Sequence, residues 1–126
     1  MAIDPTGKDL QAFLAAPDDG APIVMLNLLR FGDGGRARYE QYMMATAPFL
    51  AGVGGELVYA GLGGAALIAE AGQAWDAVLL VKYPSRAAFL AMVSNPGYQQ
   101  VTRLRTEALA EAVLQPTHAW APAAAG

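Results

Sequence analysis

Pro22-Ile23-Val24-Met25-Leu26-Asn27-Leu28-Leu29-Arg30-Phe31 is the stretch on which the fold turns. Only Asn27 and Arg30 interrupt its apolar run, and it lacks the in-out alternation of a strand with one wetted face. A run this short reads as a strand buried on both faces rather than a membrane span. One other segment has the same character. Trp75 to Tyr83 carries Ala77-Val78-Leu79-Leu80-Val81 at its centre, with charges only near its ends, at Asp76 and Lys82. Two such strands belong in the middle of a sheet.

Upstream, Thr6 followed by Asp9 marks a helix start, the hydroxyl accepting from first-turn amides and the carboxylate sitting at the positive end of the dipole. Leu10, Phe13 and Leu14 form the stripe of this short helix, which Pro17 closes before an Asp18-Asp19-Gly20 turn. Downstream, Gly32 to Gly35 break the chain, and from Arg36 to Leu50 the spacing becomes helical, with Tyr39, Tyr42, Met43, Ala47 and Leu50 on one stripe. Pro48 removes a donor in the last turn, so a kink or an early end is expected there. Gly54-Gly55 open a strand from Glu56 to Leu62, in which Leu57 and Tyr59 should point one way and Val58 and Ala60 the other. Gly63-Gly64 is expected to be a hairpin turn into a short segment from Ala65 to Ala69. Beyond Tyr83, Pro84-Ser85 cap a helix carrying Phe89, Met92 and Val93, and Asn95-Pro96 begin another that should reach about Ala112. Val113 to Thr117 is read as the last strand.

After the leading helix the order is strand, helix, two strands, helices, strand, which is the ferredoxin-like βαββαβ pattern of an α+β protein. In it the first and third strands pair centrally, and those are the two with unbroken apolar runs. Helices cover one face of such a sheet, so apolar residues on the other face need a second layer, which another copy of the chain would supply. Residues 1–117 are expected to form the single domain, and residues 118–126 an Ala/Pro-rich, partly disordered tail with Trp120 as its anchor.

Composition narrows the function classes. A chain of 126 residues can bury one real core. With 55% apolar and 15% charged residues it has few charges to cover its outside, so some apolar surface should meet another chain. Eight basic against eleven acidic residues, net -3 and without a basic run, make nucleic acid an unexpected partner. The absence of cysteine excludes disulfides, thiolate nucleophiles and cysteine metal sites. The opening Met1 to Pro5 lacks the features of a signal peptide and no apolar stretch spans a membrane, so the expected location is the cytoplasm and no membrane partner is expected. The single histidine, His118, lies in the tail. A multi-histidine metal site is impossible, and no metal, haem or flavin is expected. Gly61-Leu62-Gly63-Gly64-Ala65-Ala66 fits the dinucleotide pattern formally, but Gly72 interrupts any following helix and no acid sits at the required distance, so it too is read as a hairpin.

Several strings together resemble a known family. Pro22 to Phe31, Tyr39 with Tyr42, Val53-Gly54-Gly55-Glu56-Leu57-Val58-Tyr59-Ala60-Gly61, Trp75-Asp76, Tyr83-Pro84-Ser85-Arg86 and Pro96-Gly97-Tyr98-Gln99 with Arg105 are similar to those of an uncharacterised bacterial family, a numbered domain of unknown function in the dimeric α+β barrel superfamily. The resemblance runs from about Ile3 to Thr117. It implies the fold and a homodimer, but no particular activity, because the superfamily includes cofactor-independent monooxygenases, lactone isomerases, haem enzymes and proteins without known catalysis.

Arg105 is the leading site candidate. It falls mid-stripe among Tyr98, Val101, Ala108, Leu109 and Ala112, where a guanidinium must find carboxylates or carbonyls or reach water. It either binds an anion in a cavity or pairs internally with Asp76, Glu70 or Glu56. Asn27, mid-run on the first strand, either contacts a ligand or bonds a loop backbone. Tyr39, Tyr42, Tyr59, Trp75, Tyr83 and Tyr98 either line a pocket or fill the core. The ligand-binding candidates are thus Asn27, Arg30, Tyr39, Tyr42, Tyr98 and Arg105, with no catalytic residue assigned. Two functions remain open. One is binding of, or a monooxygenase- or isomerase-like action on, a small aromatic or keto-acid-like molecule in an apolar cavity without a bound cofactor. The other is a non-catalytic ligand-binding or assembly protein in which these polar residues are structural.

Overall fold

The strands β1 (Ile23–Phe31) and β3 (Ala77–Tyr83) lie side by side and antiparallel, Ile23 opposite Tyr83 and Leu29 opposite Ala77. In the computed structural model, which describes residues 3–16 and 20–120, β2 (Glu56–Leu62) flanks β3 and β4 (Leu109–Thr117) flanks β1. The sheet order is β2-β3-β1-β4, so the two unbroken apolar runs occupy its middle. Four helices complete the described chain: α1 (Gly7–Ala15), α2 (Gly35–Gly52), α3 (Arg86–Val93) and α4 (Pro96–Ala108). This is the α+β, ferredoxin-like order, preceded by α1. The expected helix stop at Pro17, the Asp18-Asp19 half of the following turn and the tail beyond Trp120 lie outside the described residues, as does the side chain of Leu14.

Strand period sets the two faces. Ile23, Met25, Asn27 and Leu29 of β1 are buried on the helix side. There they join two clusters, one around Tyr39, Leu79 and Ala108, the other around Tyr83, Phe89, Met92 and Tyr98. Val24, Leu26 and Leu28 alternate with them and are only half-buried, as are Val78 and Leu80 of β3. Tyr59 of β2 lies opposite Leu80, and Val113 of β4 opposite Leu28, so the outer face is also apolar.

Local chemistry explains the helix starts. Thr6 accepts from the Asp9 amide at 3.0 Å, Ser85 from that of Ala88 at 3.1 Å and Asn95 from that of Gly97 at 2.8 Å. Gly35 begins α2 against the end of α4, where a Cβ would run into the Ala108 carbonyl. That carbonyl accepts from the Gly32 amide at 2.9 Å.

Five details correct the expectations. α2 continues through Pro48 to Gly52, because the carbonyl that loses its donor belongs to Met44 on the solvent side. In β2 a bulge at Val58 sets Leu57 opposite Val81 but Tyr59 opposite Leu80, so Leu57 and Tyr59 face opposite sides rather than one. The connection from Gly63 to Asp76 contains no strand, and Leu67 and Ile68 on it are 100% and 97% exposed. α4 stops at Ala108 and passes straight into β4, where a second bulge opposite Arg30 and Phe31 keeps Leu109 and Ala112 on the helix side. Trp120, expected as an anchor, is 89% exposed.

Candidate functional site

The helix side of the sheet is not filled. Between it and α2, α3 and α4 lies a mainly apolar cavity of about 650 Å³, open to solvent on one side, within the usual range for small-molecule sites. Met25, Leu79 and Val81 form its floor from the two central strands, and Leu57 reaches it through the β2 bulge. From α2 come Tyr39, Tyr42, Met43 and Thr46; from α4, Tyr98 and Arg105. Helical spacing explains the set, since positions three and four apart share a face.

Polar groups are few and specific. The hydroxyls of Tyr42 and Tyr98 are 2.6 Å apart, with either as donor. One proton is spent in that bond, and neither hydroxyl has another partner among the described residues, so the accepting phenol still has its own proton to donate. Thr46 turns its hydroxyl back to the Tyr42 carbonyl at 2.8 Å. Asn27 is buried and donates to the Met25 carbonyl of its own strand at 3.3 Å, rather than to a loop. Burial pushes the Tyr39 hydroxyl up to about 12, against the opposing pull of the Arg105 guanidinium. Burial also raises Tyr42, with Tyr98 and Tyr39 adding to the effect, and raises Tyr83. These phenols are neutral donors at ordinary pH.

Arg105 is 8% exposed and lines this cavity. Its Nη1 donates to the Ile3 carbonyl at 2.7 Å and to Asp4 Oδ1 at 3.2 Å. Its partner carboxylate is therefore Asp4, not Asp76, Glu70 or Glu56. Asp76 instead accepts from the Phe31 amide at 2.9 Å. The Tyr39 hydroxyl is a third neighbour of the guanidinium, which pulls on it by charge and by a hydrogen bond. Apart from Ile3, Asp4 and Tyr39 no described residue bonds the guanidinium, so part of its fork is left for a ligand. Asp4 also accepts from Thr106 Oγ1, at 3.2 Å. A second cavity of about 560 Å³ continues beneath α1 and shares Arg105, Met25, Leu10 and Phe89 with the first.

Arg30 does not belong to this site. Strand period turns it to the outer face, where it pairs with Glu111 at 2.9 Å, donates to the Gly72 and Ala74 carbonyls and lies 4.6 Å from the centre of the Trp75 ring. Tyr59 also lies on that face, its ring covering Gly61, where a Cβ would meet it. The structure thus brings together Asn27, Tyr39, Tyr42, Tyr98 and Arg105, and adds Tyr83, Thr46 and Asp4. Nothing local in the sequence ties Asp4 to a residue a hundred positions away. His118 is exposed and lines neither cavity. Among the described residues no cluster of three or more His, Cys, Asp or Glu could hold a metal ion.

The sequence profile of the domain of unknown function DUF1330 matches residues 33–115. No functionally curated protein matches the chain. A protein of unknown function from Rhodopseudomonas palustris is 31% identical, with a TM-score of 0.86 over 96% of this chain and 98% of that one. A dimeric ferredoxin-like protein of unknown function from Thermobifida fusca is 23% identical, TM-score 0.52, over 79% and 92% of the two chains. SnoaB, a cofactor-independent oxygenase from Streptomyces nogalater, is 19% identical, TM-score 0.54, over 81% and 98%. At those identities the last two share the fold alone.

Proposed function

This chain belongs to the DUF1330 family, and from that premise we propose that it binds a small aromatic or keto-acid-like carboxylate in the cavity above its sheet. The supporting observation is Arg105, a buried guanidinium only partly engaged by Ile3, Asp4 and Tyr39 at the wall of a mainly apolar space. A planar fork of this kind holds a carboxylate by two parallel hydrogen bonds and stays charged at any working pH. The tyrosine rings give flat apolar walls, and the Tyr42–Tyr98 pair offers one phenol proton to a keto or hydroxyl oxygen.

Binding is better supported than catalysis. Oxygenation or isomerisation without a cofactor needs a base to withdraw a substrate proton at neutral pH. The raised phenols of Tyr39, Tyr42 and Tyr83 are poor bases, and Asp4 is engaged by Arg105 and Thr106. The oxygenase activity of SnoaB is therefore a second reading, carried by fold alone. We further propose a cytoplasmic homodimer joined through the outer face, where Val24, Leu26, Leu28, Val78 and Leu80 have no second layer in the single chain.

Calorimetry of the full chain against phenylpyruvate, benzoate and their neutral amides tests the binding reading. Acids binding with amides silent is the expected result. Equal binding of acids and amides, or no binding of either, overturns it.

A further inference from the structure

Asp4 already brings to Arg105 the negative charge that a ligand carboxylate would bring. It sits with the Ile3 carbonyl on Nη1 of Arg105, and its side chain is 54% exposed while that of Arg105 is 10% exposed. The chain then enters α1, which is thinly attached. Among its described side chains only Phe13 is half-buried, edge-on to Phe89 at 5.4 Å and beneath the Arg86 guanidinium at 4.4 Å. Among the described residues α1 and the chain that leads into it are held by the Phe13 contact at the far end, the Asp4 ion pair at the near end and, ahead of Asp4, Ile3 packed against the core cluster around Tyr39. Pro5 and Leu10, between those points, line both cavities.

We propose that Asp4 is a built-in competitor, and that a ligand carboxylate and the Asp4–Arg105 contact are mutually exclusive, so that ligand entry releases the segment from Asp4 to Ala15, with Ile3 staying packed on the core. This rests on the carboxylate-binding reading above. The argument is one of charge. Arg105 is the cation among the described residues that line the first cavity, and Asp4 neutralises it; a second carboxylate on the rest of the guanidinium would leave an uncompensated negative charge in a mainly apolar space. Releasing Asp4 removes that charge at small cost, because its carboxylate is already more than half in water. The Thr106 hydroxyl, which is exposed, can then bond water instead. The segment is suited to move, since it is local, mostly exposed and secured by few buried contacts.

The test compares wild type with Asp4→Asn in the full chain. The amide can still accept from Thr106 but carries no charge. Hydrogen exchange of the amides of residues 7–15 should rise several-fold in Asp4→Asn without any ligand. In wild type it should rise on saturation with phenylpyruvate, and not with phenylpyruvamide. By calorimetry, Asp4→Asn should bind phenylpyruvate on the order of fivefold to tenfold more tightly, the factor by which the closed form reduces the competent population. Equal or weaker binding by Asp4→Asn, or helix amides that slow or do not change when the acid binds wild type, overturns the competition while leaving the binding site intact. No acid binding to either protein removes the binding reading, and the competition with it.

Discussion

The hydroxyl oxygens of Tyr42 on α2 and Tyr98 on α4 meet at 2.6 Å across the roof of the cavity, a short polar link between the two long helices beside the exposed Arg38–Glu107 pair at 3.1 Å. Their rings pack nearly edge-on, 6.4 Å apart. Ring contact and hydrogen bond together fix the spacing of the helices above the sheet.

Tyr42→Phe and Tyr98→Phe should each cost about 1 kcal/mol, since the remaining hydroxyl can turn to water in the open cavity. The double variant should cost less than the sum, because one bond is lost in each case. Thermal melts of the four proteins check this. Strict additivity would show that the two hydroxyls do not stabilise each other.

Arg105→Met should lose acid binding while costing only about 1 to 2 kcal/mol of stability. A fully buried pair broken on one side costs about 3 to 5 kcal/mol, but Asp4 lies half in water and can rehydrate when its partner is removed. Melting and calorimetry on the same preparation separate the effects. A loss at the upper figure with acid binding unchanged would make Arg105 purely structural.

Alkaline pH should unfold the protein through its cavity tyrosines. Burial raises Tyr39, Tyr42 and Tyr83 above their ordinary value of 10.0. An acid whose folded pKa is raised binds its proton more tightly in the native state, so its contribution is complete below about pH 10. It is lost as the pH climbs through 10 toward about 12, the value for Tyr39. Denaturant midpoints should change little through this route from neutrality to about pH 10 and fall across the window above it, alongside late tyrosinate absorbance. A flat stability profile through the window would contradict the burial argument.

Leu80→Asp places a carboxylate on the outer face without disturbing the cavity, because Leu80 points away from its neighbour Leu79. Light scattering of wild type should give twice the 13.1 kDa chain mass. The variant should be insoluble or monomeric and strongly destabilised, since an obligate dimer has no folded half. A wild-type monomer at micromolar concentration removes the dimer.

Strand order and the central pair were legible because β1 and β3 are apolar on both faces and show it in composition. Two of the departures arose at bulges, one of facing in β2 and one of helix length in α4. Val58 interrupts the two-residue period, so Leu57 enters the cavity while Tyr59 covers Gly61 outside. In β4 the bulge leaves Leu109 and Ala112 on one side at a separation of three, which is also helical spacing, and so the sequence extends α4 too far. The sequence groups Arg30 with Asn27 because a strand apolar on both faces gives no sign of which face is which; the structure places Arg30 outside the cavity. The Asp4 contact was invisible for a different reason, since the sequence carries no signal for an ion pair spanning nearly the whole chain.

The junction of α4 and β4 has no connecting residue, since Ala108 ends one and Leu109 begins the other. Insertions and deletions are usually absorbed in loops, and this boundary has none to absorb them. One residue added between Arg105 and Ala108 would rotate the guanidinium about 100° around the helix, off the cavity wall. The connection from Gly63 to Asp76, extended and far from Arg105 along the chain, has no such restriction. Length variation within the family should therefore collect between β2 and β3, and the count of residues from Arg105 to β4 should stay fixed.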